Sequence, residues 1–403
     1  MSDERIVLRR VAWRELCPWL MIFRCFRLAI SIPVLFLATI GTLLMPWGDK
    51  LARRLFEPEA VRISSPAGIV PPQHVSMRAI DGHGFIADRW LPPGWDVRGV
   101  YWSFVQPTGS LFDRTASSSA FMRSLLISVW NVAVWALFGA AITRIAIVHL
   151  GRDERVSLSD SLRYAVRNYG WYFSAPLFPL LGVILLALPL ALLGLMFRFD
   201  FGVLLTGIVW PLVLLTGLAM AILLLGLLVG WPLMWPTISA EEQSDAFEAF
   251  SRSFSYSFQR PWQYLFYAVV TVLFGYLGWL LVGNFAEALI ALSHWAVVSI
   301  GAGSGRTAEV LAPLENPSSL LWAGLGLIRG WDGFVRLIAQ AFNYAFFFCT
   351  ASAIYLLLRR QVDQTDFDEV FVPDDASRYG LPPLKSGPEG IPEPAETPKT
   401  NSE

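Results

Sequence analysis

The sequence predicts an all-α fold, a polytopic helical transmembrane bundle of about six spans, and three observations predict it. Hydrophobic residues make up 55% of the chain, charged residues only 16%, and mean hydropathy is +0.50, whereas an average soluble domain carries about 25% charged residues. Apolar runs near 29–47, 124–148, 173–196, 203–230, 262–283 and 335–358 are each long enough to cross a hydrocarbon core of about 30 Å as a helix. Arginines cluster in alternate connections between those runs, as the positive-inside rule requires.

Residues 1–28 form a basic amphipathic segment. Arg5, Arg9, Arg10, Arg14, Arg24 and Arg27 are interleaved with Val7, Leu8, Val11, Trp13 and Leu20, and Pro18-Trp19 breaks the pattern. Such a segment flanks a first span on the cytoplasmic side and is drawn to an anionic leaflet. The first span, 29–47, ends within GTLLMPWGDK (41–50), which offers no small-residue cleavage site. It is therefore expected to stay attached rather than leave as a signal peptide.

Residues 48–123 read as an extracytoplasmic loop. It holds nine basic residues, but in a connection of this length charge has little authority over topology. Runs such as His74 to Ile80 and Gly99-Val-Tyr-Trp-Ser-Phe-Val105 alternate between Pro and Gly clusters, a pattern for short strands. The bundle proper is expected over 124–358. Within it Pro176, Pro179, Pro189 and Pro211 kink or shorten spans three and four. Gly226-x-x-x-Gly230 allows close helix approach, more readily inside one bundle than between copies. Ala286 to Ile300 either prolongs span five or lies flat, and Asn316-Pro317-Ser318-Ser319 marks a turn and a helix start. The piece after that turn is expected to be interfacial.

Two short amphipathic helices are expected at the cytoplasmic interface, near 157–169 and 240–258. In the second, Ser239-Ala-Glu-Glu242 reads as a capping box, and Phe247, Phe250, Phe254 and Phe258 recur at spacings of three and four opposite Glu248, Ser251, Arg252 and Ser255. That aromatic stripe is too short to span a bilayer and is expected in the headgroup region or against neighbouring helices. Pro261 ends the helix, and Trp262 stands where the next span enters. From Arg359 the composition changes. Asp363, Asp366, Asp368, Glu369, Asp374 and Asp375 lead into a Pro-rich end, so 359–403 reads as an acidic tail touching the cytoplasmic arginines, with 371–403 disordered.

An internal repeat links the two interfacial helices. Sliding the chain by 88 residues places Asp153-Glu154 on Glu241-Glu242, Asp160 on Glu248, Leu162 on Phe250 and Val166 on Phe254. A breaker and a tryptophan close each copy, Gly170-Trp171 and Pro261-Trp262, with the second breaker shifted by three residues. Residues 153–172 and 241–263, an E-x-x-S/D-x-x-E/D helix rich in Ala, Phe, Arg and Ser between hydrophobic spans, resemble the YciC-like bacterial inner-membrane proteins and the membrane domain attached to some glycerophosphodiester phosphodiesterases. The resemblance implies a fold type. It does not carry the phosphodiesterase activity, because no stretch is left for the large soluble catalytic domain.

Composition and motifs narrow the function classes. The net charge of −1 provides no field for nucleic acid. Cys17, Cys25 and Cys349 are scattered and read as free thiols, and no metal or other cofactor is expected. Only three of the 31 basic residues are lysines, a codon skew that points to a bacterial source. The four histidines, His74, His83, His149 and His294, sit in no HExxH motif, and the chain contains neither G-x-S-x-G nor a P-loop. Asp363 to Asp368 lacks the Gly and terminal Glu of a calcium loop. A proton-coupled transporter needs ionisable groups at mid-membrane. Spans three to five have none centrally, and Arg144 stands near the end of span two, where it can snorkel.

These observations point to a non-enzymatic scaffold or accessory factor in the bacterial cytoplasmic (inner) membrane, with both termini cytoplasmic, that binds anionic membrane lipid and a partner protein. A small-solute or lipid transporter is the alternative, motivated by the repeat and the kinked spans. A membrane-embedded hydrolase has only scattered His, Asp and Glu behind it. The candidate lipid or partner contacts are His149, Arg152, Asp153, Glu154 and Arg155 at the end of span two, Glu241, Glu242, Arg252 and Arg260 around the second interfacial helix, and Trp171 and Trp262 at the span entrances.

Overall fold

The computed structural model describes residues 17–56, 97–113, 115–241, 245–301, 319–372, 384–386 and 392–394. A 3-10 turn at Pro18–Leu20 leads into α1 (Met21–Ala29), followed by α2 (Ile32–Phe56). After the undescribed part of the first loop come α3 (Val97–Gly109), α4 (Ser118–Arg152), α5 (Leu158–Arg167) and α6 (Tyr169–Ser174). The chain continues through α7 (Leu177–Leu195), α8 (Asp200–Ala240), α9 (Ala246–Gln259), α10 (Pro261–His294) with a π-helical extension Trp295–Gly301, and α11 (Ser319–Val362).

Six of these helices are long and apolar enough to cross a bilayer, and they coincide with the six expected runs: α2, α4, α7, α8, α10 and α11. The chain is a helical, multi-pass membrane protein. Most spans overrun their apolar cores. The 41 residues of α8 and the 44 of α11 reach about 60 Å and 66 Å at 1.5 Å per residue, twice the hydrocarbon thickness.

The axis of the bundle is α11, whose most apolar window is wholly buried, whereas the windows of α7 and α8 are only 6% buried. Alanines make this possible. Ala339, Ala341, Ala345, Ala351 and Ala353 are buried along α11, and their small side chains let α1, α2, α4, α8 and α10 close around it. The space between is filled by rings: Trp135 stacks on Tyr344 at 4.4 Å, Trp235 on Phe348 at 5.4 Å and Trp231 on Phe347 at 5.3 Å. Leucines such as Leu192, Leu204, Leu212 and Leu215 instead face outward from the α7–α8 hairpin. An apolar face of that extent is stable in lipid rather than in water.

Several sequence expectations are corrected. Gly99 to Val105 is helical within α3, not a strand. Its alternation is local, and Val97, Val100 and Phe104 share the buried helical face. The His74–Ile80 run lies outside the described residues. The second interfacial helix starts at Ala246, six residues later than expected, because Ser239 is inside α8. The true N-cap is Asp245, whose carboxylate accepts from the Glu248 N–H at 2.7 Å. The first is capped as ordinary serines do it, with Ser157 Oγ accepting from the Asp160 N–H at 3.1 Å. The helix that carries the last span begins at Ser319, so the piece after Asn316-Pro317 is continuous with it, and Ala286 to Ile300 takes the first of its two expected courses and prolongs α10. Within 371–403, where disorder was expected, Leu384–Ser386 and Pro392–Pro394 pair as an antiparallel two-stranded ribbon.

The short helices pack against neighbouring helices. α9 folds back along the end of α8, and α5 along the end of α4; from α6, Tyr169 OH donates to the Ala133 carbonyl, nearer the middle of α4, at 3.1 Å. The buried seam of α9 is also not the phenylalanine stripe. It is Ala246, Ala249, Ser253, Tyr256 and Ser257, while Phe247 and Phe258 are exposed. Gly226 makes the close approach possible, since a Cβ there would stand 2.0 Å from the Phe254 ring. The Gly226-x-x-x-Gly230 motif thus serves intramolecular packing, with Gly230 against Ser253.

Candidate functional site at the base of the bundle

The ends of α4, α8 and α11 come together with α9 and the first residues of the tail at one end of the bundle, the base. Its hub is Glu241, the residue that ends α8. Its Oε1 receives Arg252 Nη1 at 3.2 Å from α9 and Tyr355 OH at 3.1 Å from α11. Arg359 Nε stands 3.1 Å from the same oxygen, an ion pair in which the N–H points off the line of contact, so that the nitrogen has charge compensation without a hydrogen bond. Arg252 is held further by Glu248 at 2.7 Å, one helical turn back, and by Asp363 at 3.6 Å. Burial opposes the charge of Arg252, but Glu241, the neighbouring tyrosines and Glu248 outweigh it, so the guanidinium is held more firmly protonated than a free one.

The tail closes the base like a strap. Asp363 accepts a short hydrogen bond from Tyr256 OH. Burial first, and the adjacent Asp363 carboxylate second, push the Tyr256 hydroxyl well above the ordinary tyrosine range, which keeps it a donor. Arg359 Nη1 donates to the Glu369 carbonyl at 2.7 Å, Arg152 Nη1 to the Val370 carbonyl at 3.2 Å, and the Phe371 N–H to the Ala240 carbonyl at 3.0 Å. Gly151 admits the strap, because a Cβ there would lie 2.5 Å from the Phe367 carbonyl oxygen. The tail therefore meets the arginines, as its acidity led one to expect, but largely through backbone carbonyls.

A second layer lies one turn inside. Ser239 Oγ bonds Thr143 Oγ1 at 2.9 Å and Tyr172 OH at 2.8 Å, and Trp235 Nε1 donates to the Tyr172 carbonyl at 2.8 Å. Arg144 does not snorkel. It is 3% exposed, donates through Nη1 to the Ser239 carbonyl at 2.6 Å and lies 4.3 Å over the Tyr164 ring. Tyr164 OH in turn donates to the Ile238 carbonyl at 3.0 Å. The Ile238 and Ser239 carbonyls belong to the last turn of α8, where helical carbonyls have no partner in their own helix and are free for outside donors.

The structure brings together some of the expected contacts and separates others. Glu241 and Arg252 share the hub. Arg152 reaches the strap and stands 3.7 Å from Glu154, and Asp153 ends α4 in a left-handed turn at φ 58° and pairs with Arg24 of α1. His149 is half-buried in the last turn of α4, and its carbonyl accepts from the Asp153 N–H at 3.1 Å. Arg155, Arg260, Trp171 and Trp262 are exposed and outside the network, and Glu242 lies outside the described residues. Sequence reasoning missed Tyr256, Tyr355 and Tyr172 and gave Ser239 a capping role, because their partners are 67 to 114 residues away. Among the described residues no group of three His, Cys, Asp or Glu converges on a metal-sized point. No family model, no curated protein and no solved structure matches the chain.

Proposed function

We propose that this chain is a non-enzymatic scaffold or accessory factor of a bacterial cytoplasmic membrane, which holds anionic lipid and a partner protein at the base of its bundle. The observation that carries the reading is the Glu241 hub with its strap. It ties the ends of α8, α9 and α11 into one charge-compensated platform, with Arg155, Arg167 and Arg260 exposed and outside its network. A fixed platform rimmed with arginines and interfacial tryptophans suits recognition at a membrane surface. The arginine distribution of the sequence assigns the base to the cytoplasmic side. The ring-filled centre weighs against the transporter alternative, since alternating access needs a site between parts that move.

The two fold-back pairs, α4–α5 and α8–α9, are consistent with an internal duplication in which each copy braces a span. They also suit the resemblance to YciC-like proteins, taken as one of fold type.

The test is native mass spectrometry of the full chain, gently extracted from its membrane. A stoichiometric protein partner that is lost on Arg155→Glu and Arg167→Glu supports the scaffold. Solute or lipid flux by purified protein in proteoliposomes would replace it with the transporter, and turnover lost on Glu154→Ala or Glu242→Ala would replace it with an enzyme.

A further inference from the structure

We propose that a cleft beside the entrance to α10 binds the headgroup of a phosphate ester that also carries hydrogen-bond donors, the chemistry of a glycerol- or ethanolamine-type phospholipid. The inference rests on the lipid-binding part of the reading above and gives that contact an address.

The cleft holds about 280 Å³ and is lined by Pro18, Arg260, Gln263, Arg360, Gln361 and Gln364, among others. Its charge is positive. Arg260 immediately precedes α10 and Arg360 belongs to the last turns of α11. Among the described residues neither guanidinium has a carboxylate partner. Arg360 lies 4.8 Å over the Phe367 ring, and the nearby Asp363 is taken up by Tyr256 and Arg252. Arg260 stands at the junction of α9 and α10, between the C-terminus of one helix and the N-terminus of the next.

The amides make a second, independent demand. Gln263 and Gln361 line the cleft, and the Oε1 of each is buried with no hydrogen-bond donor among the described residues. Gln361 Nε2 donates to Tyr267 OH at 2.7 Å, which orients that amide and leaves its oxygen unmatched. A buried acceptor without a donor is costly. Inorganic phosphate has its few P–OH donors on the same atom whose oxygens must face the arginines, so it cannot serve both sets at once. A phosphate ester with a hydroxyl or ammonium group answers both sets. The position fits a lipid, because Trp262 is 81% exposed next to Arg260 and Leu265, Phe266 and Val269 follow on the outward face. The cleft thus opens where a polar rim meets an apolar wall, at headgroup level.

The experiment titrates the full chain in detergent with dioleoyl phosphatidylglycerol and, separately, dioleoyl phosphatidylethanolamine, and counts bound lipid by native mass spectrometry. One tightly held lipid is expected. Its affinity should fall about tenfold or more in Arg260→Gln/Arg360→Gln, the scale of losing two charge-assisted hydrogen bonds, and stay unchanged in Arg163→Gln. Gln364→Glu, at the exposed rim, should weaken binding without disturbing buried contacts, which covers the case in which the double variant folds poorly. Competition by soluble glycerol 3-phosphate would show that the headgroup suffices, and its failure beside retained phospholipid would show that the acyl chains are required; both support the site. Binding that is equal in all variants, or that inorganic phosphate matches, overturns it. If lipid binding is lost in the variants while the protein partner is retained, the cleft stands apart from the platform; if lipid binding ignores both arginines while the partner still binds, only this inference fails.

Discussion

Arg252 Nη1 and Glu241 Oε1 lie 3.2 Å apart across the junction of α8 and α9, and the carboxylate that receives Arg252 also faces Arg359 of α11. One carboxylate therefore compensates two cations, and the side chain of Arg359 is only 8% exposed. Removing either arginine leaves the other to hold Glu241. Removing Glu241 leaves a buried cation without its charge partner.

This asymmetry predicts an order of effects. Glu241→Ala should lower stability by about 3 kcal/mol, the scale of breaking a largely buried pair from one side. Glu241→Gln should cost less because it keeps an acceptor for Tyr355, and Arg252→Ala should cost least because Arg252 is the more exposed cation. Thermal unfolding of the three variants in one detergent would check the order; Arg252→Ala as damaging as Glu241→Ala would contradict the hub.

The contact between Gly226 and Phe254 predicts a compensating pair. Gly226→Ala forces its methyl toward a ring that leaves no room for it, with an overpacking cost of about 1–3 kcal/mol. Phe254→Leu alone should cost a similar amount through lost packing. The double variant should be more stable than the sum of the two implies, because the smaller side chain vacates the space the methyl needs. Additive losses would mean that α9 does not close on α8 at this point.

Tyr256 predicts a pH dependence. Burial and the Asp363 carboxylate raise its hydroxyl above the unfolded value, which is about 10. A raised value means the folded state holds its proton after the unfolded state has released it. The contribution is therefore fully present below about pH 10 and fades as pH rises from there toward the folded value. Wild type should lose stability in alkali more steeply than Tyr256→Phe, and the two should converge in slope at neutral pH. Denaturation midpoints measured from pH 7 to pH 11 would check it; parallel curves would count against the short Asp363 contact.

Local signals carried the sequence reading a long way. The six apolar runs were legible because a bilayer-crossing helix must present its apolarity continuously along the chain, and the Gly226-x-x-x-Gly230 motif was legible because close approach needs small residues at a helical spacing. The boundaries that went wrong share a cause. Ser239 satisfies the pattern of a cap, yet it is used as a buried partner of Thr143 and Tyr172, and the cap passes to Asp245. The alternation of Gly99 to Val105 fits a strand, yet Phe104 packs on Trp231 at 4.7 Å as part of a helix.

Hydrophobicity and helical periodicity are properties of neighbouring residues, so the order of amino acids was enough to read a helical membrane protein with six candidate spans and short helices between them. Long-range packing makes α11 the axis, folds α5 and α9 back along their preceding spans, buries Arg144 and gathers Arg252, Tyr355 and Arg359 on Glu241. Those relations join residues far apart in the chain. Each depends on the whole bundle being packed before the partners can meet, so no stretch of sequence holds the information alone.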